Sequence, residues 1–419
     1  MDPMTTAPPS AATCRFCGAT LGHTFVDLGM SPLCENFLRA DQLNDMEPFY
    51  PLKVYVCDQC FLVQLEEYVS PEIIFDDYAY FSSFSDAWLA HAKQYVEMMI
   101  DRFALDEKSQ VVELASNDGY LLQYFVERGI PALGVEPARN VARVAIERGI
   151  PTLIEFFDED MARRMVADGH RADVILGNNI LAQVPNLNSF VEGTKILLAP
   201  DGVITIEFPH LLRLMEENQF DTIYHEHFSY FSFSTAVEIF AAHGITLFDV
   251  EELWTHGGSL RVFGAHTDDT TKPVSKRARE MLTRENAAGL SRLETYESFR
   301  ANVEETKRKL LTFLIDARER GKSIAAYGAP GKGNTLLNYC GIRADFLDYA
   351  ADRSTYKHGR FTPGTHIPIF PPGRIAETKP DYVLILPWNL KDEIMDQLAY
   401  IRQWGGRFVV PIPELKVYE

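Results

Sequence analysis

Gln110-Val-Val-Glu-Leu-Ala115 and Ser116-Asn117-Asp118-Gly119, then a helical run Tyr120–Arg128, then Pro131-Ala-Leu-Gly-Val135 closed by Glu136: on this stretch the reading of the fold turns. A short apolar run, a tight turn, a helix and a second apolar run ending in an acid begin a doubly wound α/β sheet. Such a sheet binds an adenosine-containing cofactor at the carboxyl ends of its strands, and the acid ending the second strand suits ribose hydroxyls. A dinucleotide site would need G-x-G-x-x-G to cradle a pyrophosphate. Only Gly119 stands in this turn, and Glu113 and Asp118 bring negative charge where a pyrophosphate would lie. Carboxylates there suit the sulfonium and ammonium of S-adenosylmethionine, which favours methyl transfer over hydride transfer. The cofactor-binding candidates are Glu113, Asn117, Asp118, Gly119 and Glu136, joined by Asn178 and Asn179 at the end of a further strand, Ala172–Leu176.

Outward from this core, Asp86–Phe103 carries Trp88, Leu89, Ala92, Tyr95, Val96 and Met99 at helical spacing. Gly202–Phe208 reads as another buried strand. Just past it, Asp221-Thr-Ile-Tyr224-His225-Glu226-His227-Phe228 packs two imidazoles, a carboxyl and a phenol into four residues. Neutral imidazole is a suitable general base, and an adjacent Glu can fix its tautomer. His227, Tyr224, Glu226 and His225 are therefore the catalytic candidates. A metal site is the competing reading of His-x-His, with no obvious third ligand nearby. His256-Gly-Gly-Ser259-Leu-Arg261 adds glycines beside a cation, and Tyr78 and Tyr80 offer phenols ahead of the first helix.

Five of the six cysteines fall before residue 61. Cys14-Arg-Phe-Cys17 and Cys57-Asp-Gln-Cys60, 39 residues apart, each place two thiolates on one tight turn. Together they complete a tetrahedral structural zinc site, a closed shell that leaves no place for activating water. A redox C-x-x-C is the alternative, although such motifs usually come singly. Cys34 reads as a loop or pocket-wall residue.

The C-terminal third opens with a charged, helical connecting segment, about 268 to 320, bearing i,i+4 pairs such as Glu304 with Arg308 and Glu305 with Lys309. Ser323–Tyr327 is a strand, Gly328-Ala-Pro-Gly-Lys332-Gly a turn without P-loop spacing, and Asn334 starts a helix. Arg353, Lys357, His358 and Arg360 form a basic cluster in an acidic protein. The strands Asp381–Leu386 and Arg407–Pro411 complete a smaller α/β domain. Substrate-side candidates are Tyr78, Tyr80, Arg261, Lys332, Asn334, Arg353 and Lys357.

A chain of 419 residues with 46% hydrophobic and 24% charged residues suits two or three soluble domains. A formal charge of −19 opposes nucleic acid or an acidic membrane as the main ligand. Residues 1–13 read as a disordered tail rather than a signal peptide, and no apolar window would span a bilayer. Cytoplasmic location and a monomer are the expectations.

The paired knuckles, the E-x-x-x-N-D-G turn, Y-H-E-H-F, H-G-G-S-L-R and G-A-x-x-K-G-N-T-x-L-N together resemble the sugar C-methyltransferases of tetronitrose-type deoxysugar biosynthesis, from about Cys14 to Glu419. The resemblance implies a zinc-binding domain (14–80), an S-adenosylmethionine-binding domain (81–265) and a C-terminal Rossmann-like α/β domain (266–419). It implies a nucleotide-linked 4-keto-deoxy sugar, mostly dTDP-linked, methylated at carbon 3. His227 matches the family's base, Tyr224 and Glu226 its neighbours, and Tyr78 or Tyr80 a substrate-side tyrosine. The chain departs at Ala115-Ser116 and at Pro330-Gly331. A carbon beside a ketone can be deprotonated if the enolate is held, and Tyr224 or His225 is the expected donor to that oxygen. The rival enzyme class, a nicotinamide-dependent sugar oxidoreductase or epimerase, would need a glycine turn and a Tyr-x-x-x-Lys pair, and neither is evident.

Overall fold

The computed structural model describes residues 12–75, 81–84 and 86–419. Tyr78, Tyr80 and most of the N-terminal tail lie outside them. An antiparallel sheet comes first: β1 (His23–Ser31), β2 (Tyr50–Val56) and β3 (Val63–Leu65). Along β2 every second side chain is buried from Leu52 onward, the period-2 pattern of a sheet with one wet face.

A seven-stranded sheet follows, built from β4 (Val111–Leu114), β5 (Ala132–Val135), β6 (Thr152–Leu153), β7 (Ala172–Asn178) and β8 (Leu198–Pro209). The short β9 (Ser229–Tyr230) leaves this domain and pairs with β3 in the first sheet. The hairpin β10 (Ile245–Leu253) and β11 (Ser259–His266) closes the edge. The spatial order is β10-β11-β8-β7-β4-β5-β6, with only β11 running against the rest. Strand order reverses between β4 and β7, so their carboxyl ends open the crevice where ligands bind in such sheets. All four residues of β4, and all four of β5, are buried, as parallel strands covered on both faces must be.

The connecting segment is not one helix but three: Lys276–Ala287, Leu293–Glu297 and Phe299–Glu319. Gly289, at φ +87°, takes a left-handed turn that ends the first. On the last, Lys309 and Glu305 pair at 2.8 Å and Arg300 and Glu304 at 2.9 Å.

The third sheet holds β12 (Ile324–Tyr327), β13 (Ala350–Ala351), β14 (Ile369–Phe370), β15 (Tyr382–Ile385), β16 (Arg407–Val410) and an antiparallel edge strand, β17 (Lys416–Tyr418). Its order is β14-β13-β12-β15-β16-β17. Its core is continuous with that of the first sheet: Phe25 of β1 stacks on Phe299 at 4.7 Å, and Phe61 on Tyr296 at 5.8 Å. The cysteine knuckles instead pack into the core of the central sheet. Among the described residues no helix is long and apolar enough to cross a membrane.

Candidate active site and zinc site

The ligand atoms of Cys14, Cys17, Cys57 and Cys60 all lie within 4.8 Å of one another. Cys14 Sγ and Cys60 Sγ are 3.6 Å apart, and Cys17 Sγ and Cys57 Sγ 3.5 Å. Four sulfurs at the usual Zn–S length of ~2.3 Å on tetrahedral corners would be about 3.8 Å apart, so the set fits zinc. Gly18 at φ +77° and Phe61 at φ +56° turn the chain after each pair. The Gly18 and Phe61 amides donate to the Cys14 and Cys57 carbonyls at 2.9 and 3.0 Å, closing two like knuckles.

A cavity of about 510 Å3 opens at the carboxyl ends of β4, β5 and β7, and all three sheets contribute to its wall. At the cofactor end, Asn117, Glu136, Asn178 and Asn179 line it. The Glu136 carboxylate accepts from the Asn117 and Ala138 amides at 2.9 and 2.8 Å, which aims it at the cavity, and burial pushes its pKa up to about 7. Asn178 Oδ1 and Asn179 Oδ1 are buried with no hydrogen-bond partner. Unmet acceptors at this end suit a ligand that brings donors or positive charge, as the ammonium and ribose hydroxyls of S-adenosylmethionine do.

Three residues expected at the cofactor do not line this cavity. Glu113 is fully buried inside β4, because a strand residue on the covered face points into the sheet rather than out of its end. Asp118 turns away to Ser83 Oγ and to Arg148 Nη1 at 3.5 Å. Gly119 adopts φ +77°, and a Cβ there would sit 2.3 Å from Ile150 Cδ1, so its bareness serves helix packing. Ala115, Tyr120 and Phe156–Asp158 line the wall instead. The last group follows a two-residue strand too short to leave a pattern in the sequence.

At the far end, Tyr224, Glu226, His227, His256 and Lys332 face the same space. His227 Nδ1 donates to the Thr222 carbonyl at 3.1 Å, which leaves Nε2 unprotonated. Burial, aided by His256 and Lys332, lowers its pKa to about 4, so the ring is neutral at pH 7. The Tyr224 ring packs on it at 4.2 Å. Glu226 accepts from the Cys34 thiol at 3.6 Å, and burial, then the charge of Glu35, pushes its carboxyl up to about 8. Cys34 and Glu35 come from the N-terminal domain, and Gly331 lets them close in: a Cβ there would be 2.9 Å from Cys34 Sγ.

His225 corrects the expectation set for it. Its Nε2 meets the Pro51 carbonyl at 3.2 Å and its ring lies edge-on to Tyr50, because the turn at His225–Glu226, closed by the His227 amide donating to the Tyr224 carbonyl at 2.9 Å, points it into the N-terminal domain. Arg261, on β11, is held by Glu207 at 2.7 Å and Glu251 at 3.2 Å and lies 3.7 Å over the Tyr95 ring, so its charge is spent inside the fold. Arg353 is 71% exposed on the surface, near Glu393. Lys357 donates to the Ala329 carbonyl at 2.9 Å and stands 3.8 Å from Glu35, behind the wall. Asn334 donates to the Cys34 carbonyl at 2.6 Å and positions that loop. Of the C-terminal candidates, Lys332 alone lines the cavity; its Nζ donates to Asn389 Oδ1 at 2.9 Å and lies 4.6 Å over the Trp388 ring. Trp88 and His256 also line the cavity; the sequence signal at His256 is the glycine pair after it.

The sheet order, the cofactor-end crevice and the neutral imidazole define a class: an S-adenosylmethionine-dependent methyltransferase with a structural zinc site. Residues 14–75 match the model of a zinc binding domain, 88–250 that of a methyltransferase domain, and 254–413 that of the C-methyltransferase C-terminal domain. The chain is 36% identical over 406 residues to C-methyltransferase NovU of Streptomyces niveus, covering 96% of each. It belongs to the C-methyltransferase family. Among solved structures, the magnesium protoporphyrin IX methyltransferase of Synechocystis with bound S-adenosylmethionine is 12% identical, covering 43% of this chain and 82% of its own, at a TM-score of 0.32. The CcbJ methyltransferase of Streptomyces caelestis is 11% identical, covering 42% and 89%, at 0.33.

Proposed function

We propose that this C-methyltransferase acts on a nucleotide-linked 4-keto-deoxy sugar, dTDP-linked, at carbon 3, with His227 as the general base. The observation that carries the reading is His227 itself: a neutral imidazole, anchored through Nδ1, lining the same cavity as Glu136. S-adenosylmethionine, when bound, supplies an electrophilic methyl group. Glu136 would hold its ribose, and Asn178 and Asn179 its charged end. His227 Nε2 takes the proton from the carbon beside the ketone, and the electron pair passes to the ketone oxygen. Glu226, carrying its proton near pH 7, donates to a sugar oxygen. Lys332 provides positive charge on the C-terminal wall for the diphosphate.

The test is methyl incorporation into dTDP-4-keto-6-deoxyglucose, read by mass spectrometry, alongside calorimetric binding of S-adenosylmethionine. The wild-type chain should yield a methylated sugar. His227→Ala should lose at least about 10²-fold in rate while binding the cofactor as before. An undiminished His227→Ala rate would remove the base from this mechanism, and no methylated sugar from the wild type would remove the substrate class.

A further inference from the structure

The reaction needs a donor at the ketone oxygen, where charge develops as the proton leaves. His225 cannot supply it, being turned to Pro51. His256 faces the cavity in its place. It sits in the turn before β11 at φ +54°, ψ +21°, a left-handed conformation uncommon for a residue with a side chain. Asn179, at the end of β7, is also left-handed at φ +59°. These two strained residues, from different strand ends, meet: Asn179 Nδ2 donates to His256 Nε2 at 3.1 Å. Two positive-φ positions joined across a cavity are held there by the surrounding fold, and such strain gathers at working sites.

The supports can be named. Gly257 and Gly258 follow at φ +88° and +117°, and a Cβ on either would meet Trp388 at 2.6 Å or Arg213 at 3.0 Å. The Trp88 ring packs edge-on against the imidazole at 5.4 Å. The ring is therefore fixed on two sides, and its tautomer is fixed as well. Because Nε2 accepts from an amide N–H, the proton of the neutral ring is on Nδ1.

We infer that His256 is a second catalytic histidine, whose Nδ1–H donates to the substrate's ketone oxygen as the enolate forms. The inference rests on the keto-sugar reading above. As His227 Nε2 takes the proton, the C–H electron pair moves into the carbon–carbon bond and the carbonyl pair onto oxygen. The His256 N–H meets that oxygen without giving up its proton. No bond at His256 is made or broken, so the same donor serves the forward step and its reversal. In deuterium oxide the reversal returns a deuteron to the carbon.

That exchange is the experiment. Zinc-loaded enzyme, with S-adenosylhomocysteine present so that no methyl is transferred, is given dTDP-4-keto-6-deoxyglucose in deuterium oxide. Deuterium uptake at either carbon beside the ketone is followed by NMR, and S-adenosylhomocysteine affinity by calorimetry. His256→Ala should slow uptake by about 10²–10³-fold, the usual cost of one oxyanion donor, with cofactor affinity unchanged. His256→Asn, which tolerates left-handed backbone and keeps an N–H, should recover part of the rate. Uptake by His256→Ala at the wild-type rate overturns the inference, as does a loss explained by weaker cofactor binding in both variants. If the wild type itself exchanges neither carbon, the keto-sugar reading falls first and the role of His256 falls with it.

Discussion

Glu226 is a carboxylic acid kept as an acid. It is buried with Glu35 nearby and accepts a hydrogen bond from the Cys34 thiol, so ionising it would place a second negative charge in a poorly solvated wall. Its folded pKa of about 8 stands above the ordinary 4.5. The sign follows from that rise: the stability owed to the protonated form is complete below 4.5 and is lost as pH climbs through about 8. Glu226→Gln keeps a neutral donor of the same shape. The expected outcome is near-wild-type turnover at pH 7, and a shallower fall of the melting midpoint between about pH 5 and 8 than in the wild type. A parallel fall in both would show that Glu226 is already ionised at pH 7. The cluster around it was visible in the sequence because four chemistry-bearing side chains are adjacent there. Which of them faces the cavity was not visible, since His225 and His227 differ only in the direction the backbone gives them.

At the scale of elements, the turn between β10 and β11 sets the position of His256. Gly257 lies where any side chain would both adopt a strained φ and strike the Trp388 ring. Trp388 is itself fixed by a 2.8 Å hydrogen bond from Nε1 to Asp221. Gly257→Ala is expected to cost about 1–3 kcal/mol from backbone strain alone. Chemical denaturation should show that loss, and turnover should fall further than cofactor binding. Unchanged stability would mean that the turn relaxes freely. The parallel strands β4, β5 and β7 were legible as short, mostly apolar runs, and Glu136 followed from them because an acid ending such a run has one place to point. Phe156 to Asp158 were not legible, since β6 is two residues long and its loop has no period. Arg261 misled for the opposite reason. A cation beside two glycines reads as a ligand site, while its partners Glu207 and Glu251 lie on other strands that pattern alone cannot bring alongside.

For the whole molecule, the three sheets share more than a chain. The first sheet joins the C-terminal core through Phe25 and Phe299, borrows β9 from the central domain, and sends Cys34 and Glu35 into the cavity wall. Zinc loss should therefore be felt far from the knuckles. Peptide zinc sites bind the ion with ~10–16 kcal/mol, against the ~5–15 kcal/mol net stability of a domain. Cys57→Ser is expected to abolish stoichiometric zinc by metal analysis and to lower the melting midpoint in one shared transition. Turnover should be lost although no cysteine ligand reaches the cavity. An independent early transition, with the catalytic domain still active after it, would show the zinc domain to be an appendage. The sequence carried the knuckles plainly, because ligand spacing is local. It carried no sign of the shared core, which depends on residues some 270 positions apart.

The splice at β9 also bears on engineering. Tyr230 is three positions after His227 and pairs with Val63 of the zinc-bearing half. A chimera that grafts the first eighty residues of a relative onto this chain would not exchange a handle. It would replace the partner strand of the segment carrying His227, together with part of the cavity lining, Cys34 and Glu35. Hybrids designed on the apparent modularity of the chain should thus change what is methylated, or fail, more readily than hybrids cut elsewhere.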